Sequence, residues 1–441
     1  MKQRKNLVGL LAAGLSLLIL LTACQGKSTS AGSGDQSTEG RRAEEPKVVT
    51  FLVDKDSDFT GAQAVIDAIE QQLGIRTEVE VRAGGTEGDN IIKTRLATGD
   101  MADLFWYNTG SLLQAINPER NIMDITDEPF AAQLTDDFKR SASVNGRLYA
   151  VPQGSTQAGA ILYNKKIYRD LGLSVPHTWK DFIANCEKVQ AAGLIGVIAS
   201  LKDSWTSQLF ILGDEYNVKA LQPNFPEEYT ANRAKYATNA VARRGFEKIA
   251  ETGRFLNRDY LATTYDMAAE MLAEGQGAHW AILTQALSTI NTNYPDKIDD
   301  IGVFGIPGDD PNNHGLTVWI SNGLYIYKNT PNAELAKQWV DFYVSQEGVS
   351  IYSSARKPDG PFSIKGITLP ADSYAGVREM QPYFNDGKTD VALEFESPVK
   401  GPNLEQICIE VFSGITSPQA AAAAYDQDVQ KQAVQLNLPG W

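Results

Sequence analysis

Downstream of a polar stretch that ends near Pro46, apolar positions recur with two spacings. Residues 47–53 form a short strand-like run and residues 77–82 alternate as strands do, whereas residues 61–73 and 90–98 carry apolar side chains at helical spacing. Short apolar runs at 104–106 and 148–151 add further strands. A second region of the same kind opens at 160–163 and continues through a strand at 194–199. Between them a helix begins at Thr178, whose hydroxyl is placed to cap the first turn, with Asp181 at the third helical position and Pro176 just ahead. Strands are then predicted at 278–283, 301–306 and 324–327, and amphipathic helices at 332–343 and 418–436. No internal repeat is visible. Strands alternating with helices over connections of this length predict an α/β fold with parallel βαβ units, and a chain of 441 residues has room for two or three domains.

The first residues follow a different rule. Lys2, Arg4 and Lys5 precede an apolar run from Leu7 to Leu21, and Leu21-Thr22-Ala23-Cys24 follows it. The run is shorter than the roughly 20 residues that span a bilayer, and the order basic, apolar, small reads as a processed export signal over residues 1–23. Cys24 in this setting resembles the bacterial lipobox, which implies cleavage before Cys24 and a diacylglycerol thioether on its sulfur. Residues 24–46 are rich in Gly, Ser, Thr and charged side chains, with too little apolar surface to offset the entropy of ordering, and are expected to form a flexible tether.

Charge narrows the partners. The chain carries 40 Lys+Arg against 54 Asp+Glu, a formal net charge of −14, and losing Lys2, Arg4 and Lys5 makes it three units more negative. Nucleic-acid binding, which rests on neutralising phosphates, is not expected. Cys186 and Cys408 lie in apolar helical contexts and are expected as buried free thiols rather than a disulfide. The three histidines, His177, His279 and His314, are scattered without metal-ligand spacing, and neither G-x-S-x-G nor H-E-x-x-H occurs. No catalytic residue, metal or cofactor is expected. Binding is expected rather than catalysis, although 54 acids leave room for the carboxylate pair of an exported lipoprotein glycosidase.

Several segments resemble one family in order and spacing. They are Ala102-Asp103-Leu104-Phe105-Trp106, Tyr149-Ala150-Val151-Pro152, Ile161-Leu162-Tyr163-Asn164-Lys165-Lys166 and Pro176-His177-Thr178-Trp179-Lys180-Asp181-Phe182. Farther on come Glu274-Gly275-Gln276-Gly277-Ala278, Gly302-Val303-Phe304-Gly305-Ile306-Pro307-Gly308 and Ala333-Glu334-Leu335-Ala336-Lys337-Gln338-Trp339. Together they resemble the sugar-type, maltose-binding-protein-like extracellular solute-binding proteins (family 1) of bacterial ABC importers, over nearly the whole mature chain. The resemblance implies a two-lobed periplasmic-binding-protein-like fold (type II), hinged around a ligand cleft. It implies lobe 1 from residues 47–154 plus 307–345 and lobe 2 from 155–306 plus 346–441, with crossovers near 153–157, 306–308 and 345–348. A carbohydrate, most simply an oligosaccharide, would be captured at the outer face of the cell membrane and passed to the permease, by a monomer. The same fold binding a peptide, a polyamine or an iron complex stays open at this stage.

A sugar presents hydroxyls around its rim and apolar C–H faces, so its site calls for aromatic platforms beside amides, carboxylates and a few cations. Trp106 follows an apolar strand, at the strand end where open α/β sheets place ligands, and the resemblance makes it a platform. Tyr107, Asn108 and Thr109 continue its loop as hydrogen-bonding candidates. The resemblance also carries Asp54 and Lys55 into the site. The run Asp54-x-Asp56-x-Asp58 does not complete a calcium loop, because Phe59 and Val65 stand where Gly and Glu are needed. Trp205 is implied as the second-lobe platform. Gln153, in the first crossover, and Asn322 join the candidates, and Trp319 faces either cleft or core. Where many relatives end a strand in Gly-x-Trp, this chain has Gln285, expected as a polar contact, while Trp280 falls earlier and reads as core. Arg356, in Arg356-Lys357-Pro358-Asp359-Gly360-Pro361, could fork onto a hydroxyl pair or an acidic sugar, or lie in a surface turn. Trp179 and Trp339 fit helix cores, and Trp441 has no readable role.

Overall fold

The computed structural model describes residues 47–55, 57–83 and 85–441. The export signal, Cys24 and the tether lie outside the described residues. In chain order the strands are β1 (Lys47–Asp54), β2 (Ile75–Arg82), β3 (Leu104–Tyr107), β4 (Ala150–Pro152), β5 (Gln157–Asn164), β6 (Ile195–Ile198), β7 (Gly277–Leu283), β8 (Ile301–Gly305), β9 (Leu316–Trp319), β10 (Gly323–Ile326) and β11 (Thr389–Val391). They form the two main sheets, one per lobe, and Ser143–Val144 with Arg147–Leu148 add a separate two-stranded hairpin. The first runs β2-β1-β3-β10-β4; the second runs β11-β9-β5-β7-β6, with β8 also on β5.

The predicted parallel pairing holds for β1 with β2 and β3, β6 with β7, and β9 with β11. The strands β5 and β10 run antiparallel to their neighbours. Each is the first strand after the chain changes lobe, so it starts at the hinge and runs away from it, while its neighbours run toward the hinge.

Local chemistry explains why the elements start where they do. Thr178 Oγ1 accepts the Asp181 amide at 3.1 Å and opens the helix Trp179–Ala191. Asn164 Oδ1 accepts the Ile167 amide at 3.0 Å at the end of β5 and starts the next helix, while its Nδ2 donates to Leu272 O at 2.8 Å. Helices cover the sheets, so the inner strands are apolar almost throughout: seven of the eight residues of β5 are buried, whereas only Ile75 and Arg82 of the edge strand β2 are. Cys186 and Cys408 are free and buried, and burial pushes both thiols up. Among the described residues no helix is long and apolar enough to cross a membrane.

The passages between sheets depart from two of the three expected crossovers. One runs through residues 153–156. The second lies at 320–322 rather than 306–308, because β9 returns to the edge of β5 already used by β8, through Thr317, Val318 and Trp319 opposite Gly159, Ala158 and Gln157. Close approach allows this: a Cβ on Gly305 would stand 1.9 Å from Gly315 O. The third comes after residue 355 rather than at 345–348. The helix Gln346–Ala355 packs on the helix Thr60–Leu73 of lobe 1, with the Tyr352 ring 2.7 Å from where a Cβ on Gly61 would sit. The chain then pairs Phe362 with Ser155 and Ile364 with Leu134 before the helix Ala375–Asn385 reaches lobe 2, where Glu379 accepts the Val303 amide at 2.9 Å.

Candidate functional site

The passages converge on a cavity of about 760 Å³ between the lobes. They are tied to one another beneath it: the Gln153 amide donates to Asn322 O at 2.8 Å, and the Thr156 amide donates to Pro361 O at 2.7 Å. Lobe 1 contributes Asp58, Asn108, Thr109 and Ser111; the passages contribute Gln153, Ser321, Asn322, Arg356 and Asp359; lobe 2 contributes Gln285, Trp319, Glu394 and Lys400. Short connections at the mouth of a rigid scaffold are where small solutes are held between moving halves.

Trp319, the last residue of β9, is half-buried and forms the aromatic wall. Its ring lies over Gly159 of β5, where a Cβ would meet Trp319 Cζ3 at 2.3 Å. The indole Nε1 donates to Glu394 Oε1 at 2.7 Å, and Lys400 Nζ stands 3.4 Å from Glu394 Oε2. The indole is therefore held at its edge and floored by bare backbone.

The cations of the cavity face carboxylates. Arg356 Nε donates to Asp58 Oδ2 at 2.6 Å and its Nη2 to Asp359 Oδ2 at 2.8 Å. Burial pushes the Asp359 carboxyl up to about 6 even against the pull of Arg356. Burial also acts on Asp58, but the Thr60 amide and hydroxyl and the Arg356 guanidinium outweigh it and hold that carboxyl below its usual range. On Arg356 itself, burial opposes the charge and the two carboxylates more than restore it. Asp359 Oδ1, Gln153 Oε1 and Ser321 Oγ are buried without partners among the described residues.

The lobes touch above the cavity. Ser111 Oγ donates to Glu394 O at 3.1 Å, and Thr389 Oγ1 donates to Asp137 Oδ2 at 3.0 Å. Gly110, at φ 66°, lies so close to the opposite lobe that a Cβ would stand 2.7 Å from Phe395 Cα.

The structure gathers Asn108, Thr109, Gln153, Gln285, Trp319, Asn322 and Arg356 into this one cavity. Five other candidates do not line it. Trp106 is 1% exposed, packed edge-on against Phe51 and Phe59. Its strand β3 is central and covered on both faces, so its side chains belong to the core and the cavity begins two residues later, at Asn108. Tyr107 is buried likewise; burial and the nearby Asp89 charge push its phenol up to about 12. Asp54 turns back to accept Ser57 Oγ at 2.8 Å, and Lys55 is exposed. Trp205 is half-buried in an aromatic row of lobe 2, its ring 5.7 Å from Tyr265, which lies 5.1 Å from Trp280. Trp280, Trp179 and Trp339 are core residues.

The wall residues named above that were missed from the sequence are Asp58, Ser111, Ser321, Asp359, Glu394 and Lys400. Asp58 stood in the run weighed as a calcium loop and Asp359 in the turn of Arg356, whereas Glu394 and Lys400 lie in no motif. A larger void of about 880 Å³ opens under residues 361–371, beside Thr135 and Arg378. None of the sequence-derived candidates lines it, and the candidate site is the smaller cavity.

An interlobe cavity walled by amides, hydroxyls, neutralised charges and an anchored indole defines a two-lobed solute-binding protein. The chain belongs to the bacterial extracellular solute-binding protein family, whose model matches residues 55–350. It is 24% identical over 377 residues to the multiple sugar-binding protein of Streptococcus mutans, covering 82% of this chain and 83% of that one. The melibiose/raffinose/stachyose-binding protein MelE of Bacillus subtilis is 21% identical, with 84% and 85% covered. The apo form of RafE from Streptococcus pneumoniae superposes with a TM-score of 0.73 at 18% identity, over 89% of this chain and 98% of that one; RafE in complex with raffinose gives 0.68, with 88% and 99% covered. The family is one of binders rather than enzymes, and its members act outside the cytoplasm.

Proposed function

We propose that the protein captures a neutral oligosaccharide outside the cell and delivers it to the membrane permease of an ABC importer. The observation that carries the sugar reading is the Trp319 indole, fixed over Gly159 by Glu394 in a cavity otherwise walled by hydroxyls and amides. An indole face stacks on sugar C–H groups while amides and carboxylates take the hydroxyls. The cavity, near the upper part of the roughly 300–1,000 Å³ range of small-molecule sites, has room for more than one ring. The names of the relatives support the same reading. The charges speak against an anionic solute: Arg356 and Lys400 both face carboxylates, so an anion would meet Asp58, Asp359 and Glu394 without a cation in reserve. The protein acts as a monomer, held at the membrane by a lipid on Cys24.

Titration calorimetry of the body from residue 47 tests the proposal. Neutral oligosaccharides such as raffinose or stachyose are expected to bind and their uronic-acid counterparts to bind far more weakly. Trp319→Ala is expected to cost about 1–3 kcal/mol of binding, a loss of about five- to 150-fold. A body that binds no neutral saccharide, or binds as well without the indole, is incompatible with this reading.

A further inference from the structure

Glu394 makes three contacts that belong to different parts of the molecule. Its Oε1 accepts the Trp319 indole N–H at 2.7 Å, its Oε2 lies 3.4 Å from Lys400 Nζ, and its backbone carbonyl accepts Ser111 Oγ of the opposite lobe at 3.1 Å. The adjoining Phe395 backbone is the surface on which Gly110 of lobe 1 rests. Both residues belong to one helical turn, Leu393–Glu396. The side chain that orients the aromatic wall therefore hangs from the same turn that lobe 1 touches across the cavity.

We infer that Glu394 is a positioning residue through which closure of the lobes and orientation of the Trp319 platform become one event. The inference rests on the proposed saccharide site and adds to it the means by which that site is assembled. When the lobes separate, the Leu393–Glu396 turn loses the Ser111 and Gly110 contacts from above. Glu394 keeps its bond to the indole but hangs from a turn no longer tied across the cleft, so it sets the ring plane less firmly. When they meet, the Ser111 hydroxyl holds the Glu394 backbone, and the carboxylate holds the indole against the Gly159 floor. A hydrogen bond from a neutral N–H to a carboxylate is stronger than one between neutral groups, which suits a contact that must select one ring orientation in a half-buried setting. Lys400 keeps the second carboxylate oxygen occupied and steers the first toward the indole.

The test uses Glu394→Ala, Glu394→Gln and Ser111→Ala in the body from residue 47, each also made with Trp319→Phe so that the difference spectrum isolates Trp319. Acrylamide quenching of Trp319 without sugar reads the hold of Glu394 directly. It is expected to rise in Glu394→Ala and to return most of the way in Glu394→Gln, which keeps an acceptor. Raffinose affinity is expected to fall about tenfold in Glu394→Ala and to stay within about threefold in Glu394→Gln. Ser111→Ala, which does not touch the indole, is expected to weaken raffinose binding and to diminish both the sugar-induced shift in Trp319 emission and the sugar-induced contraction seen by small-angle scattering. Unaltered quenching in Glu394→Ala overturns the inference, as does a Ser111→Ala protein whose Trp319 signal and contraction match the parent. A parent protein that binds no saccharide sinks the proposed function instead, and the sugar-free quenching still decides the role of Glu394.

Discussion

Trp106 and Trp319 show what burial does to one side chain at two strand ends. Both follow apolar runs, and from spacing alone either could face a ligand. Trp106 sits in a central strand roofed by Phe51 and Phe59, whereas Trp319 lies where the Gly159 backbone leaves a shelf and Glu394 takes the indole N–H. A residue's neighbours in sequence do not carry that difference. His279 makes the same point for charge. Sequence showed only that it lacked metal-ligand spacing; the structure places it in the core of lobe 2, fully buried, where burial pulls its pKa down to about 4. Its Nδ1 lies 2.7 Å from the Gly196 carbonyl and must donate, so Nε2 accepts the Tyr168 hydroxyl at 2.7 Å. The stability contributed by this neutral ring is present above the ordinary histidine pKa near 6.5 and is lost as pH falls through that value toward 4. Thermal midpoints measured from pH 7 to pH 4 are expected to fall less steeply in His279→Gln than in the parent, and parallel curves would contradict this account.

Elements were largely readable because their signals are local. Alternation marked β2, short apolar runs marked β1 and β7, and Thr178 capped its helix as its position in sequence predicted. What remained hidden was pairing. The run ending at Ile306-Pro307-Gly308 has the look of an exit from the lobe, yet β9 comes back to the edge of β5. No local pattern records which edge a strand will find, since any apolar edge with matching alternation offers the same hydrogen bonds. Gly159 is the part of β5 where pairing turns into function. Its backbone is ordinary strand, so Gly159→Ala is expected to leave the fold intact while the new methyl pushes the Trp319 ring off its shelf. Calorimetry is expected to show a loss of about three- to tenfold in saccharide affinity, with a thermal midpoint close to the parent's. Equal affinity would mean that the shelf does not set the platform.

At the scale of the whole molecule, the family places the protein outside the cytoplasm, and its two lobes meet over a cavity. On the proposed lipid at Cys24, an anchor of two or more chains would hold the body stably at the membrane where it meets the permease. Cys24→Ala is expected to release the protein into the medium of the native host. Intact-mass measurement of the membrane-extracted parent is expected to show an acylated chain beginning at Cys24, and an unmodified thiol there would refute the anchor. The sequence by itself determined most strands of both sheets, several helices, the Thr178 cap, the acidic balance of charge and the family, because each follows from spacing or composition within a few residues or from motifs in order; β9, which ends in Trp319, and the helices between residues 346 and 412 were not read from it. Only the tertiary structure decided which tryptophan lines the cavity, where the chain changes lobe, and that Glu394, 75 positions from Trp319, accepts its indole N–H. Those outcomes depend on which surfaces meet once the chain has folded, and that meeting is settled by packing and pairing between segments far apart in sequence.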